Sequence, residues 1–199
     1  MTDLVLERSS AARTRALDDP PGGVLMWIVV AVELVAFAIV LVLIALVRIQ
    51  QPDVFRAGQD ALSPASGLAL TLALVTSGWL TAEAVHAHRE GALGRARRLY
   101  GGAVVTGLVF VALKSADTIT KIGAGHGLGV DDFWDAYLLG TGFHFAHVIV
   151  GLGMLAWVGA RVGRTRFEDP ETAVAGTALF WHMCDVAWFF LFPLFFARS

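Results

Sequence analysis

From Val24 to Val47 the chain runs for 24 residues with one charge, Glu33. That matches the roughly 20 apolar residues a helix needs to cross a hydrocarbon core about 30 Å thick. Four more such runs follow, at about 67–85, 102–122, 134–159 and 172–196. Lipid offers the backbone no hydrogen bonds, so only helices and closed barrels span it. Runs of this length are about twice what a barrel strand needs, which selects helices. The expected fold is all-α: a polytopic membrane protein with a single five-transmembrane-helix bundle over 24–199. Residues 1–23 read as a flexible polar tail ending in Pro20-Pro21-Gly22-Gly23, a stop before a new element. The first apolar run is too long for a signal-peptide core and has no clear small-residue cleavage site, so a cleaved leader is not expected. The composition, 56% hydrophobic and 16% charged, agrees with a membrane chain.

Arginines give the orientation. Arg8, Arg13 and Arg15 in the tail, Arg89, Arg95, Arg97 and Arg98 after the second span, and Arg161, Arg164 and Arg166 after the fourth fall on one side. The first loop (48–66, with Arg48 and Arg56), the acidic loop with Asp131, Asp132 and Asp135, and Arg198 fall on the other. The positive-inside rule then predicts a cytoplasmic N-terminus and a periplasmic C-terminus. A net charge of -2 gives no sign of nucleic-acid binding. The single cysteine, Cys184, permits no internal disulfide and reads as a small packing residue.

Chemistry is confined to a few ionisable groups inside the spans. His144 and His147 lie in a run without charge from Ala136 to Ala160. Three residues apart on a helix, they share one face. Gly140, Gly142, Ala146, Gly151 and Gly153 keep that helix thin, so a neighbour can approach closely. His182 and Asp185 share a face of the fifth span in the same way. With a rise of 1.5 Å per residue, Glu33, His144, His147, His182 and Asp185 all fall roughly 14–20 Å deep, in one central layer. A charge there costs about 2.5–3.5 kcal/mol or more, so these groups are expected to face the bundle and one another. In particular, Glu33, His147 and His182 or Asp185 are expected to be mutually close.

Several chemistries fit that layer. The plainest is a satisfied polar network that sets helix register. Glu33 could handle protons or only pack. His144 or His147 with His182 could ligate a haem axially, as in a self-contained b-haem electron carrier, although only one such layer exists. A zinc or di-metal site lacks the Glu-x-x-His spacing. Lys114 and Asp117 on the third span read as a secondary i,i+3 ion pair, or as a route in a small proton-coupled transporter using Glu33, Lys114 and Asp117. The Trp and Phe residues of the fifth span read as lipid-facing or packing residues.

Two segments resemble subunit III of the haem–copper cytochrome oxidases. Gly142-Phe143-His144-Phe145-Ala146-His147-Val148-Ile149-Val150-Gly151 is similar to that family's Gly-Phe-His-x-x-His-Val-x-x-Gly. Phe180-Trp181-His182-Met183-Cys184-Asp185-Val186-Ala187-Trp188 is similar to its aromatic-Trp-His-x-x-Asp-x-x-Trp. Glu33, in Val32-Glu33-Leu34-Val35-Ala36-Phe37, matches the buried carboxylate of its Ser-Glu-x-x-x-Phe segment, with Ala-Val ahead of it in place of Ser. The similarity spreads over about 24–196. The longest members have seven helices; five spans appear here, as in the quinol-oxidase and nitric-oxide-reductase-associated (NorE-type) forms. The family's glutamate ahead of the Trp-His motif is not at its usual spacing: Ala175 stands near that place and Glu171 is further upstream. Lys114 also departs from the oxidase forms and points to the NorE-type branch.

The resemblance implies a non-redox accessory subunit in a bacterial inner membrane. It would stabilise catalytic subunit I of a haem–copper oxidase or nitric oxide reductase and support proton uptake. Haem and copper would sit in that partner, none in this chain. Phospholipid would be held in clefts, although the family's main lipid cleft involves the two helices not seen here.

Overall fold

The computed structural model describes residues 20–164, 167 and 169–197. Residues 1–19 of the expected tail, with Arg8, Arg13 and Arg15, lie outside the described residues, as do Arg166 and Arg198. Among those described are six helices and no strand: α1 (Gly23–Gln50), α2 (Pro52–Asp60), α3 (Pro64–Arg89), α4 (Leu93–Gly123), α5 (Asp132–Arg161) and α6 (Pro170–Phe196). All but α2 are long and apolar enough to cross a membrane, and the chain is a multi-pass membrane protein.

Each long helix outruns the apolar stretch that announced it. The 31 residues of α4 cover roughly 46 Å. Its first turns carry Arg95, Arg97 and Arg98, which stay helical beyond the hydrocarbon. Side chains at Ser63, Asp131 and Asp169 cap α3, α5 and α6 by accepting from Ser66, Trp134 and Thr172 backbone N–H groups.

The first loop is not irregular throughout, as the sequence suggested. Pro52 opens α2 at a position where its missing N–H costs nothing. The helix is held down by Phe55, which meets Phe133 edge-on at 5.0 Å and stacks on Phe195 at 6.1 Å. Gln59 completes the closure by donating to the carbonyls of Leu194 and Ala197 at the end of α6.

Successive spans alternate in direction. Gly22, just before α1, lies against Gly176 near the start of α6; a Cβ on Gly22 would stand 2.8 Å from the Gly176 Cα, and its φ of 86° also requires glycine. Arg89 at the end of α3 pairs with Glu171 at the same end of α6. At the opposite end, Phe133 of α5 meets Phe195 of α6.

The helices differ in how they are packed. α1 meets the bundle along one seam, Met26, Val30, Glu33, Phe37, Val40, Ile44 and Val47, spaced alternately by four and three. Leu41 also packs on the core, Arg48 reaches the Leu194 carbonyl of α6, and most of the remaining α1 side chains face outward. α6 is wrapped by neighbours: Trp181, Cys184, Trp188, Leu191 and Phe195 are all fully buried. Phe189 and Phe190 instead face outward, so the aromatic residues of this span divide between the two expected roles. The thin face of α5 works as expected at Gly151, which receives Trp181 and Phe180, and at Gly140, which receives Ile44. Gly142 and Gly153 have nothing against them.

Candidate functional site

Of the central-layer groups, Glu33 and His147 meet directly. His147 Nε2 lies 2.9 Å from Glu33 Oε2, joining α5 to the seam of α1. Its Nδ1 lies 2.9 Å from the Phe143 carbonyl, one turn back on the same helix. A carbonyl only accepts, so Nδ1 carries a hydrogen and donates it. The contact to Glu33 then has two forms. Either Glu33 is protonated and donates to a bare Nε2, or Nε2–H donates to the Glu33 carboxylate. Both forms hold one proton between the two groups, and both are neutral overall. Phe37, Phe143 and Phe180 surround the imidazole, with ring centroids at 5.0, 4.6 and 6.3 Å. The Glu33 side chain keeps 30% of its surface exposed, so one flank of the pair stays open.

His144 is fully buried and serves a different end. Its Nε2–H donates to the Cys184 carbonyl of α6 at 3.0 Å. The ring is enclosed by Phe37, Phe110 and Trp188. Its Nδ1 finds no partner among the described residues. Cys184 is buried as a packing residue, as expected.

His182 and Asp185 form a second pair, Nδ1 to Oδ2 at 3.0 Å. Asp185 fits because α3 offers Gly78; a Cβ there would stand 2.2 Å from Asp185 Oδ2. The sequence reading expected Glu33, His147 and His182 or Asp185 to be mutually close. The structure joins them two by two instead, and no hydrogen bond or ion pair connects the two pairs among the described residues. The reason is rotational: His147 points at α1, whereas Asp185 points at α3 from the other side of α6.

Lys114 and Asp117 belong to a larger network than the ion pair read from the sequence. Lys114 Nζ donates to the Tyr137 hydroxyl at 3.0 Å, and that hydroxyl donates to Asp117 Oδ2 at 2.9 Å. The direct Lys114–Asp117 separation is 3.9 Å. Lys121 pairs with Asp117 Oδ1, which also accepts from the Ser66 hydroxyl at 3.2 Å. Lys114 Nζ lies 4.3 Å from the Tyr137 ring centroid, a cation–π distance. Both lysines are buried. Lys121 was open to sequence reasoning, since it stands i+4 from Asp117. Tyr137, Ser66 and Gly78 were not, because nothing local ties them to partners on other helices.

Among the described residues no group of three or more His, Cys, Asp or Glu side chains could hold a metal ion. Glu171, upstream of Ala175, is committed to Arg89 at one end of the bundle.

Residues 55–198 match the family model for cytochrome c oxidase subunit III. A cytochrome c oxidase subunit 3 of Corynebacterium diphtheriae is 24% identical over 139 residues, 69% of this chain and 68% of that protein. A probable cytochrome c oxidase subunit 3 of Nocardia farcinica is 25% identical over 178 residues, 88% of this chain and 87% of that protein. A probable cytochrome c oxidase subunit 3 of Mycobacterium tuberculosis is 28% identical over 126 residues, and the match spans 62% of its length. The family match covers well over half of the sequence and takes in both histidine segments: this chain belongs to the cytochrome c oxidase subunit III family.

Proposed function

We propose that this chain is a non-redox accessory subunit of a haem–copper respiratory oxidase or nitric oxide reductase, in a bacterial inner membrane, with its N-terminus cytoplasmic. It would pack beside the catalytic subunit, stabilise it and support its proton uptake. The observation that carries the reading is the Glu33–His147 pair: a neutral unit, one proton held between carboxyl and imidazole, mid-membrane and open along one flank. Such a unit can pass its proton between carboxyl and imidazole without changing its net charge, because the charge of either partner is matched by the other.

The same geometry supports the absence of haem from this chain. Both nitrogens of His147 are engaged, and His144 gives its Nε2 to Cys184 while aromatic rings close over the rest. Axial ligation would require breaking those bonds. Grooves between α1 and α5, one toward each end of α1, support lipid binding: one of about 740 Å³ near Gly140 and Phe143 and one of about 730 Å³ near Gly176 and Trp157. Acyl chains are the proposed occupants.

The test is purification in a gentle detergent. A large haem-bearing subunit should come with this chain, and its identity decides between oxidase and nitric oxide reductase. Stripped of that subunit, the chain should show no Soret band. A Soret band that stays with the isolated chain would sink the accessory reading in favour of a b-haem carrier. Counter-transport in liposomes by the chain alone would favour a transporter.

A further inference from the structure

We infer that the α6 face carrying His182, Val186, Phe189 and Phe190, between α1 and α3, seats a transmembrane helix of the catalytic subunit that offers a hydrogen-bonding side chain at mid-membrane. This rests on the accessory-subunit reading above and assigns it a docking surface.

The face follows from the packing. Asp185 seats on Gly78, and Trp188 Nε1–H donates to Thr71 of α3 at 2.9 Å, so α3 bounds one side. Toward the far end, Leu41, Val42 and Ala45 of α1 line a groove of about 420 Å³ with Phe190 and Pro193, so α1 bounds the other. Between them, residues 182, 186, 189, 190 and 193 form one helical stripe. Val186, Phe189 and Phe190 face outward.

His182 decides the occupant. It stands 12 residues into α6, roughly 18 Å from its start and near the middle of the hydrocarbon. Its side chain is 41% exposed. Nδ1 is used on Asp185, and Nε2 has no partner among the described residues. Whichever of His182 and Asp185 holds the proton, Nε2 points at whatever covers this face. Acyl chains offer no donor or acceptor, and a polar atom left unpaired in them is costly. At this depth a polar partner must arrive on a helix, since lipid-exposed irregular backbone does not occur there. A second copy about a two-fold axis would set His182 against an identical His182, and the two would bond only in opposite tautomers, which breaks the symmetry of their Asp185 partners. The outward residues of α4 at comparable depth, Val105, Leu108 and Val109, are apolar, as lipid contacts should be.

Photo-crosslinking tests this in the full complex. Benzoylphenylalanine is placed at Val186 or Phe189, with Val105 and Leu108 as controls, and native membranes are irradiated before purification. The expected result is a crosslink from Val186 and Phe189 to the large haem-bearing subunit and none from the controls. Crosslinks from the controls alone, or none from either set while that subunit co-purifies, would overturn the face and leave the accessory reading intact. A crosslink to a second copy would also overturn it. Failure of any haem-bearing subunit to co-purify would overturn the accessory reading, and the inference with it. Independently, His182→Leu should cut the haem retained per chain about three-fold in gentle detergent, the size of a typical interhelical hydrogen bond in a membrane. His182→Gln, which keeps a donor and an acceptor, should restore most of it. Full retention in His182→Leu would count against the proposed bond.

Discussion

At mid-membrane one carboxyl, Glu33, meets one imidazole, His147, and the pair stays open along a flank. Near the far end of α4, one carboxyl, Asp117, holds two ammonium groups, a phenol and a serine hydroxyl, and the whole cluster is closed over. Both put ionisable groups where water is scarce, yet they solve the problem differently. Glu33 and His147 can redistribute a single proton and remain neutral. Asp117 cannot give up its charge without stranding two lysines. An open neutral pair suits proton exchange, whereas a closed, over-subscribed carboxylate suits structure. On this comparison, substitutions at Asp117 should change stability, and substitutions at Glu33 should change function.

The largest effect is expected at Asp117. Asp117→Ala leaves Lys114 and Lys121 buried without their counter-charge, a loss of about 3–5 kcal/mol. Equilibrium unfolding in mixed detergent micelles would measure it. Glu33→Gln under the same conditions should cost less than about 1 kcal/mol, because the amide can still donate to His147 Nε2. Equal losses for the two variants would erase the distinction. Tyr137→Phe should fall between them, at about 1–3 kcal/mol, since it removes the hydroxyl that links Lys114 to Asp117 and leaves both partly unsatisfied. A cost near zero would mean that the direct Lys114–Asp117 attraction suffices on its own.

The fold could be read because apolar length is a local property: five runs gave five spans. The polar partners divide more unevenly. Glu33 and His147 could be suspected together because equal depth and the cost of lipid exposure act on each alone. That Glu33 bonds to His147 while His182 bonds to Asp185 could not, since depth fixes height along a helix and says nothing of its rotation. Helix α2 was missed because nine mostly polar residues carry no spanning signal; Phe55 folds them onto α5 and α6 through contacts far apart in sequence. Tyr137 was missed for the same reason, being 20 residues from Asp117 along the chain.

A smaller effect on stability, but a sharper one on function, is expected from labelling and turnover at Glu33. A lipid-soluble carbodiimide attacks a protonated carboxyl that it can reach from the hydrocarbon. Glu33, mid-membrane and open on one flank, should be the main site, ahead of Glu83, which is paired with Arg95. If the pair feeds protons to the catalytic subunit, turnover of the Glu33→Gln complex should fall at high pH, where protons are scarce, and change little at low pH. Wild-type turnover across that range, with labelling confirmed at Glu33, would leave the pair a packing role and make it no different in kind from the Asp117 cluster.

The smallest effect belongs to a carboxylate outside the membrane, which serves as the reference for both clusters. Asp169 caps α6 and accepts from the backbone N–H of Thr172 at 3.1 Å and from its hydroxyl. Those hydrogen bonds hold its carboxyl below the usual carboxylate range. The folded value therefore lies under the unfolded one of about 3.9. The stabilisation is present in full above that unfolded value and is lost as the pH falls through the lower, folded one. Because the group is solvent-exposed, Asp169→Ala should cost only about 0.5–1 kcal/mol at neutral pH. Hydrogen exchange at the Thr172 amide would report it, with protection reduced roughly two- to five-fold, since 1.4 kcal/mol corresponds to ten-fold. The difference from wild type should close in strong acid and stay constant from pH 5 upward. The Glu33→Gln effect on turnover should run the opposite way, growing as the pH rises. If both variants tracked the same acidic range, the Glu33 carboxyl would be behaving as a surface cap does, and its place beside His147 would confer nothing on proton exchange.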